Sequence, residues 1–237
     1  DYINANFSVG IGADNIYMTC GAAASLCIIL NALLNEGDEV ITIAPYFPEY
    51  KVFTEHARGK LVPVQGSEGT FQPDIAAIKG AITPHTKAVL INSPNNPSGV
   101  VYTEESIKQL CKVLQECKNN GQTIYLISDE PYRELVFGGV KVPYIMNYYA
   151  DSIVCYSFSK SLSLPGERIG YIAVNPAMSN AGEVYAAVCG AGRALGYVCA
   201  PSLFQLIIPR VIGKTSDISV YERNRDVLSA ALQSYGY

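Results

Sequence analysis

The chain has 237 residues, which suits one large α/β domain or two small ones, and with 49% hydrophobic and 16% charged residues it has ample material for a sizeable core. A net charge of −4 with no run of like charges lacks the basic surplus that phosphate-backbone binding needs, so no nucleic-acid partner is expected. Seven cysteines without a C-x-x-C pair fit a reducing cytoplasm. The two histidines, His56 and His85, have no Cys or carboxylate at metal-ligand spacing, so they read as surface residues; neither a metal site nor a Ser-His-Asp triad is expected. The chain starts at Asp1 with no cleavable apolar segment and is expected to be part of a longer protein.

Residues 22–34 are small and apolar, broken by Ser25 and Asn31, and fall short of the roughly 18 to 20 residues that cross a bilayer. They predict a buried helix and no membrane partner. Gly37 and Asp38 supply a turn into a strand over 39–43. A helix near 48–57, a short strand over 60–64 and a helix near 74–79 follow. A strand over 87–91 then leads through a turn-rich loop, 92–99, into a helix over 103–119 stopped by Asn120 and Gly121, and a strand over 124–128 comes next. A strand over 152–156 runs through 157–170 to the apolar run 171–174. These alternations predict a three-layer α/β/α sandwich around a mainly parallel sheet. Val220, Val227, Leu228 and Leu232 give 217–233 a helical spacing.

The chemistry concentrates at the expected strand ends. The run from Ser157 through Lys160 and Arg168 to Gly170 is rich in hydroxyls. A lysine desolvated there beside a second cation favours the neutral amine that forms imines. An arginine can grip a phosphate through paired N–H donors, with Ser157 and Ser159 adding hydroxyls. Two solvated loop charges are the plain alternative. Asp129 and Tyr132 close the strand 124–128, at the kind of edge where open α/β folds bind ligands. A carboxylate there can keep a pyridine nitrogen protonated, which makes the ring an electron sink, and a nearby phenol can tune it; alone, this run also reads as a turn. The loop holding Asn96 shows by itself only that the chain bends. Small residues from Thr19 to Leu26 open a helix whose free N–H groups can receive an anion. Phe47 offers a flat apolar ring past strand 39–43, for stacking or for the core.

Taken together, the run 157–170, the D-x-x-Y at 129–132, the N-P-x-G at 96–99, the helix start at 22–24 and the aromatic at 47 resemble the aspartate aminotransferase-like, class I/II aminotransferases, which are fold type I pyridoxal-phosphate enzymes. The order and the gaps of 49, 33 and 31 residues between Phe47, Asn96, Asp129 and Lys160 match that family's layout. The resemblance covers nearly the whole chain but only the middle of a full-length member. It implies one pyridoxal-phosphate-binding large domain over 1–237, without the family's N-terminal segment and C-terminal small domain, and with 217–237 as a linking helix.

It also implies pyridoxal 5′-phosphate as cofactor. Lys160 would be the Schiff-base lysine and proton shuttle, Asp129 the partner of the ring nitrogen, and Tyr132 and Asn96 the partners of the phenolic oxygen. Phe47 would stack on the ring, while Ala22, Ala23, Ala24, Ser157 and Arg168 would hold the phosphate. Many relatives carry hydroxyl or amide side chains where this chain has alanines, which leaves backbone donors only. The implied reaction is transamination between an L-amino acid, aspartate by default, and a 2-oxo acid, in a homodimer. Arg193 falls near a stretch that in dicarboxylate-specific relatives contributes an arginine across the dimer. A β-lyase on the same scaffold and a non-catalytic effector domain of a transcription regulator are the alternatives.

Overall fold

The strand segments are nearly continuous apolar runs, as expected of strands buried on both faces. In the computed structural model, which describes residues 1–236, they form one seven-stranded sheet. The strands are β1 (Ile16–Thr19), β2 (Glu39–Ala44), β3 (Lys60–Gln65), β4 (Thr86–Asn92), β5 (Tyr125–Asp129), β6 (Ser152–Ser157) and β7 (Gly170–Val174), in the order β1-β7-β6-β5-β4-β2-β3. All contacts among β2 to β6 are parallel, whereas β7 runs antiparallel to both β6 and β1.

Successive residues of each strand feed opposite cores. Val40, Leu90, Ile127, Ile153 and Ile172 point to one layer, and Ile41, Val89, Leu126, Val154 and Ala173 to the other. The first layer is covered by α2 (Ala22–Leu33), α3 (Glu49–His56) and α7 (Ala181–Ala194), which contribute Ile29, Tyr50 and Val188. The second is covered by α4 (Ile75–Ala81), α5 (Glu104–Asn119) and α8 (Ser202–Val211), through Ile78, Leu110 and Ile208, with α1 (Tyr2–Phe7) adding Ile3. The expected three-layer α/β/α sandwich is therefore present. A four-residue helix, α6 (Phe158–Ser161), follows β6, and α9 (Ile218–Ser234) ends the described chain with no buried residue. Tyr237, the last residue of the expected linking segment, lies outside the described residues.

Three features depart from the sequence reading. The run 152–174 reads as one more parallel unit, yet β6 and β7 pair antiparallel. A parallel return is usually carried by a full crossover helix, and the twelve residues between β6 and β7 form only the single turn of α6 and the short turn at Pro165–Glu167. Helices α1, α7 and α8 also have no counterpart among the expected elements. Three glycines at 182, 190 and 192 weaken the helical signal of α7, and Pro209 interrupts that of α8. Gly192 is required where it stands, because a Cβ there would collide with the Tyr17 hydroxyl. Finally, β1 is a strand with no counterpart among the expected elements.

Register places the chemistry. Asn92 pairs with Asp129, and Asp129 with Cys155, so β4, β5 and β6 finish at one edge of the sheet. Because β7 is antiparallel, it starts at that same edge, where Gly170 faces both Ser157 and Thr19.

Candidate active site

A cavity of about 330 Å3 opens at this edge, lined by Ala22, Ala23, Phe47, Asn96, Asp129, Tyr132, Ser157, Lys160 and Arg168 together with Leu26, Asn92, Pro131, Ser159 and Pro165. Nine of the ten candidate residues thus meet in one space. The tenth, Ala24, is buried in the first turn of α2 and does not itself line the cavity. Arg193 is exposed on α7 and lines no part of the cavity. His56 and His85 are exposed, and no metal-binding cluster of His, Cys, Asp or Glu occurs among the described residues.

Asp129 closes β5 inside the core at 5% exposure. Its Oδ2 accepts a hydrogen bond from the Tyr50 hydroxyl at 2.7 Å, whereas its Oδ1 is buried without any partner. Burial pushes this carboxyl up to about 7; neighbouring Glu130 adds to the rise, and the Tyr50 hydrogen bond opposes it. A cation placed at Oδ1 would both satisfy that atom and draw the carboxyl back to its ionised form.

The adjoining loops are tied to the same strand. The Asn92 side-chain amide donates to the Asp129 carbonyl at 2.8 Å, and its Oδ1 accepts from the Asn96 backbone N–H at 2.6 Å. Asn92 therefore couples the end of β4 to β5 and anchors the turn that carries Asn96. Tyr132 is pushed up by burial and by Asp129, while the Asn96 side chain pulls it down. Its loop is held by a buried ion pair: Arg133 Nε donates to Glu130 Oε2 at 2.5 Å, and the guanidinium also donates to the carbonyls of Val142 and Pro143. Arg133 lies over the rings of Phe7 and Tyr144 as well, at 5.1 and 5.0 Å from their centroids.

The opposite wall is cationic. Gly21 caps α2 at φ 90°, with no side chain on the free N–H groups of the first turn. A Cβ at Gly21 would lie 2.5 Å from Arg168 Nη2, so the glycine is what lets the guanidinium settle against this helix end. Arg168 donates to the Pro165 carbonyl at 2.8 Å and to Ser159 Oγ at 3.4 Å, and the hydroxyls of Ser157 and Ser159 lie 2.7 Å apart. Lys160 stands on α6 with its Nζ 5.9 Å from the Tyr132 ring centroid. Contrary to the expectation of a desolvated amine, Lys160 is exposed.

The sequence model for "Aminotransferase class I and II" matches residues 2–220, nearly the entire chain. The chain belongs to this family. Among its relatives, the aspartate aminotransferase of Geobacillus stearothermophilus is 40% identical over 163 residues, covering 67% of this chain and 40% of that protein. The probable aspartate aminotransferase of Methanocaldococcus jannaschii is 34% identical over 171 residues, covering 72% and 44%. A crystal structure of an amino transferase from Eubacterium rectale superposes with a TM-score of 0.97 at 55% identity, over all of this chain and 60% of that one. The chain thus spans less than half the length of these two curated relatives. Class I and II aminotransferases are pyridoxal-phosphate-dependent transferases.

Sequence reasoning passes over Asn92, Tyr50 and the Glu130–Arg133 pair. Only the pair leaves a signal, two opposite charges three residues apart beside Asp129. Tyr50 is distant in sequence from the carboxylate it serves.

Proposed function

We propose that this chain holds pyridoxal 5′-phosphate in the cavity and that the protein exchanges an amino group between an L-amino acid, aspartate by default, and a 2-oxo acid. The observation that carries the reading is the convergence on one cavity of Lys160, the unpartnered Asp129 Oδ1 and Arg168 beside the α2 N–H groups. The donor set fits the cofactor. A primary amine suits its aldehyde, a buried carboxylate its ring nitrogen, and a guanidinium with serine hydroxyls and free helix N–H groups its phosphate. When bound, the group supplies an electron sink for the carbon that exchanges its amino group.

The remaining work belongs to the chain. Arg168, Ser157, Ser159 and the N–H groups at the start of α2 would hold the phosphate, and Phe47 would face the ring. Asp129 would keep the ring nitrogen protonated, and Tyr132 with Asn96 would hold the phenolic oxygen. Lys160 would hold the aldehyde through its amine and would serve as the base that moves a proton at the substrate Cα; its exposed position leaves the amine accessible to substrate. The relatives' names support aspartate as donor, and the seven free cysteines support a reducing, cytoplasmic setting. The family's homologues also support a homodimer.

Lys160→Ala tests this reading. Amino transfer from aspartate to 2-oxoglutarate is expected to fall by about a thousandfold or more, on the order of losing both nucleophile and base. Transfer at the unaltered rate would overturn it.

A further inference from the structure

We infer that Tyr50 is a positioning residue for the ring-nitrogen site: by donating its hydroxyl to Asp129 Oδ2, it fixes the carboxylate so that Oδ1 faces the cavity and stays available for a cationic partner. The inference rests on the reading of the cavity as a pyridoxal-phosphate site. It adds a residue from α3, which contributes no lining atom.

Geometry carries it. Tyr50 is 1% exposed, and its hydroxyl, 2.7 Å from Oδ2, contacts Asp129 across a sequence gap of 79 residues. A buried carboxylate with two free oxygens could rotate; one with Oδ2 occupied presents a single oxygen. The same helical turn also buttresses the ring wall. Tyr50 N–H donates to the Phe47 carbonyl at 3.0 Å, and the Tyr50 ring meets Phe47 edge-on at 5.6 Å. Thr54 Oγ donates to the Tyr50 carbonyl at 2.7 Å, which holds α3 in register. One short segment thereby places a stacking ring and orients the acid beyond it.

The titratable groups around Asp129 are Tyr50 from α3, Glu130 from the residue after β5, Tyr132 from the following loop and Cys155 from β6, with Tyr102 beside Tyr50. Among these, the Tyr50 hydroxyl favours the ionised carboxylate and Glu130 opposes it. Removing the hydroxyl should therefore raise the Asp129 pKa, and binding of a protonated ring should need a higher pH.

The test is equilibrium dialysis of the full chain against pyridoxal 5′-phosphate across pH 5 to 9, for wild type, Tyr50→Phe, Asp129→Asn and the double variant. Tyr50→Phe keeps the ring and its packing, and circular dichroism of the cofactor-free chain checks its fold. Binding by Tyr50→Phe is expected to weaken about tenfold near neutral pH, on the order of a hydrogen bond to a charged group. The acid limb of its affinity profile should move to higher pH, and the substitution should have no further effect in the Asp129→Asn background. An affinity loss that is equal at all pH values and persists in that background would assign Tyr50 a purely structural role and overturn the inference, as would an unchanged profile. Wild type that fails to bind at any pH would instead overturn the reading of the cavity itself. Should Tyr50→Phe fail to fold, the carboxyl titration of Asp129 by carbon NMR in the wild-type chain decides: a value at or above that of an equally buried carboxyl without a hydroxyl donor contradicts the proposed bond.

Discussion

Asp129 and Lys160 line the same cavity under opposite physical conditions. The carboxylate ends a core strand, is almost wholly buried and receives a hydrogen bond from another buried side chain, while the amine stands exposed on a four-residue helix. The hydrogen-bond network follows the same division. Asn92, Glu130 and Arg133 bind the carboxylate side into the sheet, whereas the lysine side runs through a loop with Ser163 and Arg168 in left-handed conformations. The acid is thus fixed before any ligand arrives, at a cost in burying its charge, and the amine keeps the freedom that a nucleophile and proton carrier needs.

If that contrast is right, the largest stability effect comes from the buried pair behind the carboxylate. Glu130→Ala leaves the Arg133 guanidinium buried without its partner and should cost about 3–5 kcal/mol, read by urea denaturation. A loss below about 1 kcal/mol would place the pair among solvated surface contacts instead.

Next comes Asp129 itself, where function and stability should pull apart. Its folded-state pKa of about 7 lies above the ordinary 3.8, so the fold favours the protonated acid. The associated stability is fully present below pH 4 and is lost as the pH rises toward 7. Asp129→Asn should accordingly stabilise the cofactor-free chain at pH 8, by at most about 4 kcal/mol from the conversion of that shift, and the gap should close near pH 4. Thermal melts of both proteins at the two pH values check this; destabilisation at pH 8 would show that the ionised carboxylate is welcome in the empty fold.

On the cationic wall a smaller effect is expected. Gly21→Ala must adopt a positive φ and displaces Arg168, costing about 1–3 kcal/mol and weakening phosphate affinity. Ser159→Ala touches the same wall without backbone strain and should remain within about 1 kcal/mol. Equal effects for the two, in melts and in phosphate titrations, would argue against a role for Gly21 in seating the guanidinium.

Much of this arrangement is legible in the sequence because parallel strands announce themselves as apolar runs and the binding residues cluster just past their ends. The run 157–170 and the residues Asn96, Asp129 and Tyr132 are locatable for that reason. What stays hidden depends on contacts between distant segments. Nothing local to residue 50 signals that its hydroxyl will meet Asp129, and the direction of β7 goes with the lack of a full crossover helix between it and β6. The exposure of Lys160 escapes on the same ground, since desolvation is set by what surrounds the loop and not by its own residues. Helix α7 is hard to read because its glycines are unfavourable for a helix in isolation, and at Gly192 the requirement comes from the close approach of Tyr17.

The most direct measurement is reductive trapping. The full chain is incubated with pyridoxal 5′-phosphate, reduced with borohydride and mapped by peptide mass spectrometry. The pyridoxyl mass is expected on Lys160 at one group per chain; label spread over other lysines, or absent from Lys160, would contradict the assignment of this cavity.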